Sequence, residues 1–193
     1  MRDEVKRDLA ASSADFAHIV WPVLRERCKE LRGSELGLVE GHPDQQLHFD
    51  LDVCAGIDAY QRGKFALRGI AARVQWWKNY RTFTVRISRP NGSATEYEKR
   101  LEILKHRDEG YLYPFWSIHA YLSEPGGQLL SVGVARTTEL YHYIEQRERN
   151  GPKLPRHQAS CGGEWFFAVN WEAYRQSGKY LFTYSEKRMG SGT

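Results

Sequence analysis

Within eleven residues the chain carries His48, Asp50, Asp52 and Asp58, side chains that bind hard cations or move protons. Apolar and polar residues alternate strictly across 47–53. That period predicts a strand with Leu47, Phe49, Leu51 and Val53 facing a core and His48, Asp50 and Asp52 on the opposite face. Gly56 permits a bend before Ile57-Asp58-Ala59. Magnesium takes carboxylate oxygens at short range, so Asp50, Asp52 and Asp58 are candidate metal ligands. The same alternation also serves the plain polar face of a half-buried strand. Asp58, set between Ile57 and Ala59, is the less ordinary filler of an apolar turn.

A second constellation follows fifteen residues after Asp58. Alternation over 69–77 places Ile70, Ala72, Val74 and Trp76 on one face, and Ala71, Arg73, Gln75 and Trp77 on the other. Arg73 and Gln75 thus share a face with a small neighbour, which suits contact with a metal-bound water or a phosphate. An ion pair from Arg73 to Asp58 or Asp52 across the sheet fits the pattern equally well. Trp76, Trp77 and Tyr80 are interleaved with Arg73, Lys78 and Arg81, as on a surface that stacks bases and grips phosphates. Trp76 shares its face with Ile70 and Val74 and is assigned to the core. His157, Cys161 and Gly162-Gly163-Glu164 have no partner at a recognisable spacing and read as a Gly-rich loop. Gly126-Gly127 and Gly162-Gly163 lack the phosphate-loop pattern.

Charge is segregated along the chain. Between Gly37 and Tyr60 there are five acids and no Lys or Arg, and between Gln61 and Pro90 eight bases and no acid. Carboxylates beside a basic, aromatic-bearing stretch suit a divalent cation held next to a phosphate backbone. Two neighbouring strands pairing their charges would give the same pattern.

The elements that must position these groups can be sketched from spacing. Ser12 with Asp15 reads as a helix start, followed by an apolar stripe from Phe16 through Leu31 that Pro22 kinks or splits. Strands are predicted over 69–77, 82–88, 115–122, 129–135, 165–170 and 180–184, and turns at Pro90-Asn91-Gly92-Ser93 and Pro125-Gly126-Gly127. The segment 95–105 suits either a return strand or a short helix. Thr137 or Thr138 caps a helix carrying Leu140, Tyr141 and Ile144, and 150–163 is a loop. The order helix, strands, helix, strands predicts an α+β fold with a mixed central sheet flanked by helices.

With 193 residues, 27% of them charged, and 8 Phe, 6 Trp and 11 Tyr, the chain is one domain's worth of ordinary globular protein rather than a disordered one. The expected domain spans 1–189, with a helical segment at 12–33, a core at 47–145, a strand extension at 164–184 and a flexible tail at 190–193. No apolar run approaches the roughly 20 residues of a membrane span, and the charged first residues lead into no apolar signal region. Three cysteines without CxxC spacing suit a reducing, cytoplasmic setting.

An acidic strand, Gly56-Ile57-Asp58 and a polar pair on the next strand together resemble the PD-(D/E)XK, restriction-endonuclease-like nuclease superfamily. So does Ser131-Val132-Gly133-Val134 running into Thr137-Thr138-Glu139-Leu140-Tyr141. The resemblance covers about 47–145 and implies a mixed central sheet between helices and Mg²⁺- or Mn²⁺-dependent cleavage of phosphodiesters. It assigns Asp58, helped by Asp52 and Asp50, to the metal, Gln75 to the attacking water and Arg73 to the transition-state phosphate. Arg62, Lys64, Trp77, Lys78 and Arg81 would hold nucleic acid, with DNA favoured over RNA and a homodimer as the expected assembly. The family's Glu-x-Lys is absent: Gln75 is followed by Trp76-Trp77-Lys78. That departure keeps open a non-catalytic nucleic-acid-binding module on the same fold, and a protein-interaction domain using the Trp/Tyr surface.

Overall fold

A computed structural model describes residues 2–40, 43–64, 66–89, 92–159 and 163–186. The predicted tail at 190–193, Pro90 and Asn91 of the predicted turn, and Cys161 and Gly162 lie outside the described residues. So does the predicted core-facing side chain of Val53.

The chain opens with α1 (Arg2–Asp15), a π-helical turn (Phe16–Val20) and α2 (Trp21–Arg27). Ser12 lies inside α1 and starts nothing, which corrects the sequence expectation. Pro22 has no N–H to give back to the preceding turn. The wider π turn before it absorbs the interruption, so the helix continues rather than ending. Of the predicted stripe, Phe16, Val20, Leu24, Cys28 and Leu31 are fully buried, while Ile19 and Val23 are half-buried against them.

The main sheet has the order β1-β2-β3-β5-β6-β9. Its strands are β1 (Glu35–Leu38), β2 (Ala59–Arg62), β3 (Leu67–Trp76), β5 (Pro114–Leu122), β6 (Leu129–Arg136) and β9 (Leu181–Ser185). β3 and β5 run parallel, joined through α4 (Glu96–Lys105), and the other pairs are antiparallel. The fold is therefore α+β, with a mixed, mostly antiparallel central sheet flanked by helices, as expected. One face of the sheet (Ile70, Ile118, Val132, Val134) packs on the stripe of the N-terminal helices. The other carries Tyr121 against α5 (Thr137–Asn150) and a second sheet of β4 (Thr82–Arg86), β8 (Trp165–Asn170) and β7 (Arg156–Gln158), ordered β4-β8-β7.

Several sequence expectations change. The segment 47–53 is helical, not a strand: α3 (Gln45–His48) runs into a π-helical stretch (Phe49–Cys54). The Asp44 carboxylate caps it by accepting from the Gln46 and Leu47 N–H groups, and the Gln46 side chain donates to Asp50 one turn on, at 2.9 Å. Leu47 and Phe49 are 40% and 49% exposed, while Leu51 packs on a small cluster of Val39, Ala55 and Ile57. The alternation therefore does not face one core, and local capping decides. The segment 95–105 resolves as α4, held by a Thr95/Glu98 capping box. Thr137 does not cap α5; it is its first residue, and its hydroxyl pairs with Ser117 at 2.9 Å. The strand predicted over 82–88 forms β4 of the second sheet, the expected loop at 150–163 contains β7, and α6 (Trp171–Gln176) was not foreseen.

Gly133, in the middle of β6, lies beneath the Trp171 indole, and a Cβ there would come within 2.5 Å of the ring. Gly133→Ala is expected to cost about 1–3 kcal/mol through overpacking. At this chain size that lowers Tm by roughly 2–12 °C in a thermal melt.

Candidate anionic-ligand cavity at the open edge of β3

β2 is short. Its ladder to β3 stops at Ala59–Ile70, and the backbone bond from the Asp58 N–H to the Ile70 carbonyl is the last of the series. Beyond that point β3 remains paired only to β5, so the edge of residues 71–76 is open on the β2 side among the described residues. Gly56, at φ +64°, lets the chain turn away there, in a backbone conformation that disfavours residues with a Cβ.

A cavity of about 620 Å³ wraps this edge. Asp58, at the entry to β2, serves the open strand as an acceptor: the Ala72 N–H donates to its Oδ2 at 2.7 Å. Asp52 lines the same space. Five cations do so as well: Arg73 from β3, Arg86 and Arg89 from β4 and the residues after it, and Lys99 and Arg100 from α4. On the opposite side of the edge, α1 closes the space with Asp8, Leu9 and Ser12 beside Trp76. The Trp76 indole N–H is fixed by Asp15 at 2.8 Å.

Each wall is braced. The buried Arg100 guanidinium donates to the carbonyls of Ala55 and Gly56 at 2.9 and 3.1 Å, fixing the turn that presents Asp58. Arg73 donates to Glu96 at 3.1 Å and to the Thr84 hydroxyl at 3.0 Å. The other Glu96 oxygen accepts from Tyr141 at 3.1 Å. His119, buried on β5, accepts the Thr84 N–H on Nδ1 at 3.1 Å, which leaves the ring proton on Nε2. Burial, aided by the charge of Arg73, holds this imidazole well below its usual range, so it is neutral. Burial likewise pushes the Tyr141 hydroxyl upward, and the nearby Glu96 adds to it.

Asp58 is exposed toward the cavity, and the surrounding walls crowd its carboxyl and remove part of its hydration. Desolvation raises its pKa to about 7, against the Ala72 bond, which lowers it; Asp52 adds repulsion and Arg100 attraction. The open mouth tempers the size of this shift but not its direction.

Among the residues expected from sequence, Asp58, Asp52 and Arg73 come together in this cavity. Asp50 does not line it and bonds Gln46 instead. Gln75 does not line it either, and its side-chain carbonyl is buried without a partner. Arg62 and Lys64 stand at the β2–β3 turn, at the opposite end of β2 from Asp58. Trp77, Lys78 and Arg81 lie beyond the other end of β3, about 30 Å from that turn by strand rise. Sequence reasoning missed Glu96, Lys99, Arg100, His119 and Tyr141. The capping box offered a signal, since it opens a helix on which Glu96, Lys99 and Arg100 are spaced to share one face.

Fold and cavity together define an α+β protein with a cation-lined cavity at a sheet edge. No family model, curated protein or solved structure matches the chain. No helix among the described residues is long and apolar enough to cross a membrane.

Proposed function

We propose that the cavity binds a phosphodiester of nucleic acid and that the protein is a divalent-metal-dependent nuclease with a restriction-endonuclease-like core. One observation carries this reading: Asp58, at the start of β2, faces the open edge of β3 in a cavity shared with Asp52 and five cationic side chains. The mixed central sheet between helices, and the Asp at the entry of one strand with Arg73 on the next, agree with what the family resemblance implies.

Among the described residues no group of three or more His, Cys, Asp or Glu side chains is placed to hold a metal. The donor set is nonetheless adequate for Mg²⁺, which is commonly held by one or two carboxylates, water and substrate phosphate. Asp58 has one oxygen on Ala72 and another free to coordinate, and Asp52 supplies a second carboxylate. When bound, the ion would polarise a phosphoryl oxygen and acidify a coordinated water. Arg89 and Lys99 hold the phosphate by charge, beside Arg86, whose guanidinium is paired with Glu164 at 3.1 Å. Arg73, oriented by Glu96 and Thr84, supports negative charge developing on the phosphoryl oxygens. Arginine is not a proton acceptor here, and neither Gln75 nor His119 replaces the missing lysine as base. Lys99 is the lysine that the cavity contains.

Incubation with supercoiled plasmid and with structured RNA, in Mg²⁺, in Mn²⁺ and in EDTA, tests the proposal. Product is expected only with metal, and cleavage that persists in EDTA overturns the metal-dependent reading. The missing Glu-x-Lys and the displacement of Gln75, whose carbonyl oxygen is buried outside the cavity, favour a second reading, a binding module without catalysis. That module predicts a gel shift that weakens steeply with salt and no product at any metal concentration.

A further inference from the structure

The five residues joining β3 to β4, Trp77 to Arg81, have an unusual build. Trp77 and Arg81 adopt left-handed backbone conformations, with φ of 65° and 52°, which bulky side chains rarely hold without external constraint. The constraint is visible at both ends. The Trp77 N–H is shared by the carbonyls of Leu122 and Ser123 at 3.1 and 3.2 Å, and the Arg81 carbonyl accepts the Trp171 N–H at 3.0 Å. Between them the Asn79 side chain accepts the Ser131 hydroxyl at 2.6 Å. A backbone held this firmly presents its large aromatic groups to solvent: Trp77 is 70% exposed and Tyr80 56%. Burial of those rings does not explain the strain.

We propose that this connection is a pre-organised stacking platform for unpaired nucleobases, and that the protein's substrate is single-stranded nucleic acid or a single-stranded segment within a duplex. Trp77 and Tyr80 offer flat faces for bases, and the exposed Lys78 and Arg81 beside them meet the phosphates. Lys78 lies over the Tyr80 ring at 5.6 Å, so charge and stacking surface are adjacent. The platform is continuous with the cavity. Trp76 lines the cavity and its ring packs edge-on against Trp77, with centroids 5.9 Å apart. A strand whose bases stack on the platform would therefore pass its backbone toward Asp58. Stacking through a π-face needs no particular base, which predicts little sequence preference. Rings in a pre-fixed loop also lose little freedom on binding, so the strain carried by the free protein lowers the cost of association.

The inference rests on the reading of the cavity as a nucleic-acid site, so its test is made without catalysis. Fluorescein-labelled oligo-dT and a hairpin duplex of equal charge are titrated in EDTA, with anisotropy and tryptophan quenching as readouts. The wild type is expected to bind oligo-dT more tightly than the duplex, with quenching. Trp77→Ala weakens oligo-dT binding about tenfold and leaves the duplex unmoved, Trp77→Phe recovers most of the loss, and Tyr80→Ala, whose fold is checked by circular dichroism, repeats the effect. Equal loss on both ligands, or no loss with either variant, overturns the platform even if plasmid cleavage is observed. Oligo-dT binding with this mutational pattern but no cleavage in Mg²⁺ or Mn²⁺ supports the platform and removes the nuclease. Failure to bind either ligand removes both.

Discussion

Asp58→Asn is expected to abolish metal-dependent cleavage while making the protein more resistant to heat above pH 7. The two effects share one cause. Asp58 is held in a cavity whose walls desolvate it, with Asp52 adding repulsion, so its carboxyl pKa rises from 3.8 to about 7. Between those values the folded protein binds a proton that the unfolded chain has released. Stability therefore falls as pH rises from about 4 to about 7 and is level beyond, the reverse of the usual carboxylate behaviour. Asparagine has nothing to titrate, and its carbonyl can still accept the Ala72 N–H. The variant should match the wild type near pH 4 and melt a few degrees higher at pH 8. Solvent entering the cavity mouth keeps that gain small. If Asp58 is the metal ligand proposed above, its loss would remove about 3–4 kcal/mol of transition-state stabilisation, or roughly 10²- to 10³-fold in rate. A metal ion would then compete with the Asp58 proton, so wild-type cleavage would climb through pH 7 and then level off. Melting curves at pH 4 and 8 with plasmid assays decide the matter. A variant less stable at pH 8, or one that still cleaves, would show that Asp58 has a purely structural place.

The strands that sequence reasoning placed well share a physical property: their apolar side chains find a core. Residues 165–170 coincide with β8, and 115–122 and 129–135 match β5 and β6 within a residue. Periodicity reports on burial, and these segments are buried. It misled at 47–53, where the same alternation arises in a helical segment whose Leu47 and Phe49 remain largely in solvent. Alternation also says which face is buried but not which strand lies alongside. Hence β4 could be drawn as a strand without any sign that its partner is β8, eighty residues further on. Such long-range pairing depends on complementary surfaces, here the contact of Phe83 with Trp171 and Tyr174, that no local window contains.

The candidate site divides along the same line. Asp58 and Arg73 were legible because they interrupt apolar patterns on neighbouring strands. Gln75 shares a strand face with Arg73 but not its cavity. The second sheet crosses that face, with the Thr84 N–H bonding His119, and Arg73 lines the cavity while Gln75 does not. The open edge itself was not legible, since it follows from where β2 stops pairing.

Arg100→Met is expected to lower Tm by roughly 4–24 °C and, on the proposed nuclease reading, to move the activity profile to higher pH. Methionine retains an apolar stem at a site 5% exposed, but it donates no hydrogen bonds. The Ala55 and Gly56 carbonyls, now served at 2.9 and 3.1 Å, would lose their partner. A buried acceptor left without its donor costs about 1–3 kcal/mol, so the pair comes to about 2–6 kcal/mol. A chain of this size loses roughly 2–4 °C per kcal/mol. The turn at Gly56 is in direct reach of this guanidinium, since a Cβ there would lie 2.9 Å from its nitrogen, and it is this turn that aims Asp58 at β3. Arg100 also attracts the Asp58 carboxylate, so removing it raises the pKa of that group further and shifts the midpoint of the activity profile upward. Arg100→Lys should recover part of the stability, because an ammonium reaches one carbonyl but not both. A melting temperature within two degrees of wild type for Arg100→Met would mean that water serves the two carbonyls equally well, and that the rigidity assigned to the Asp58 turn has another source.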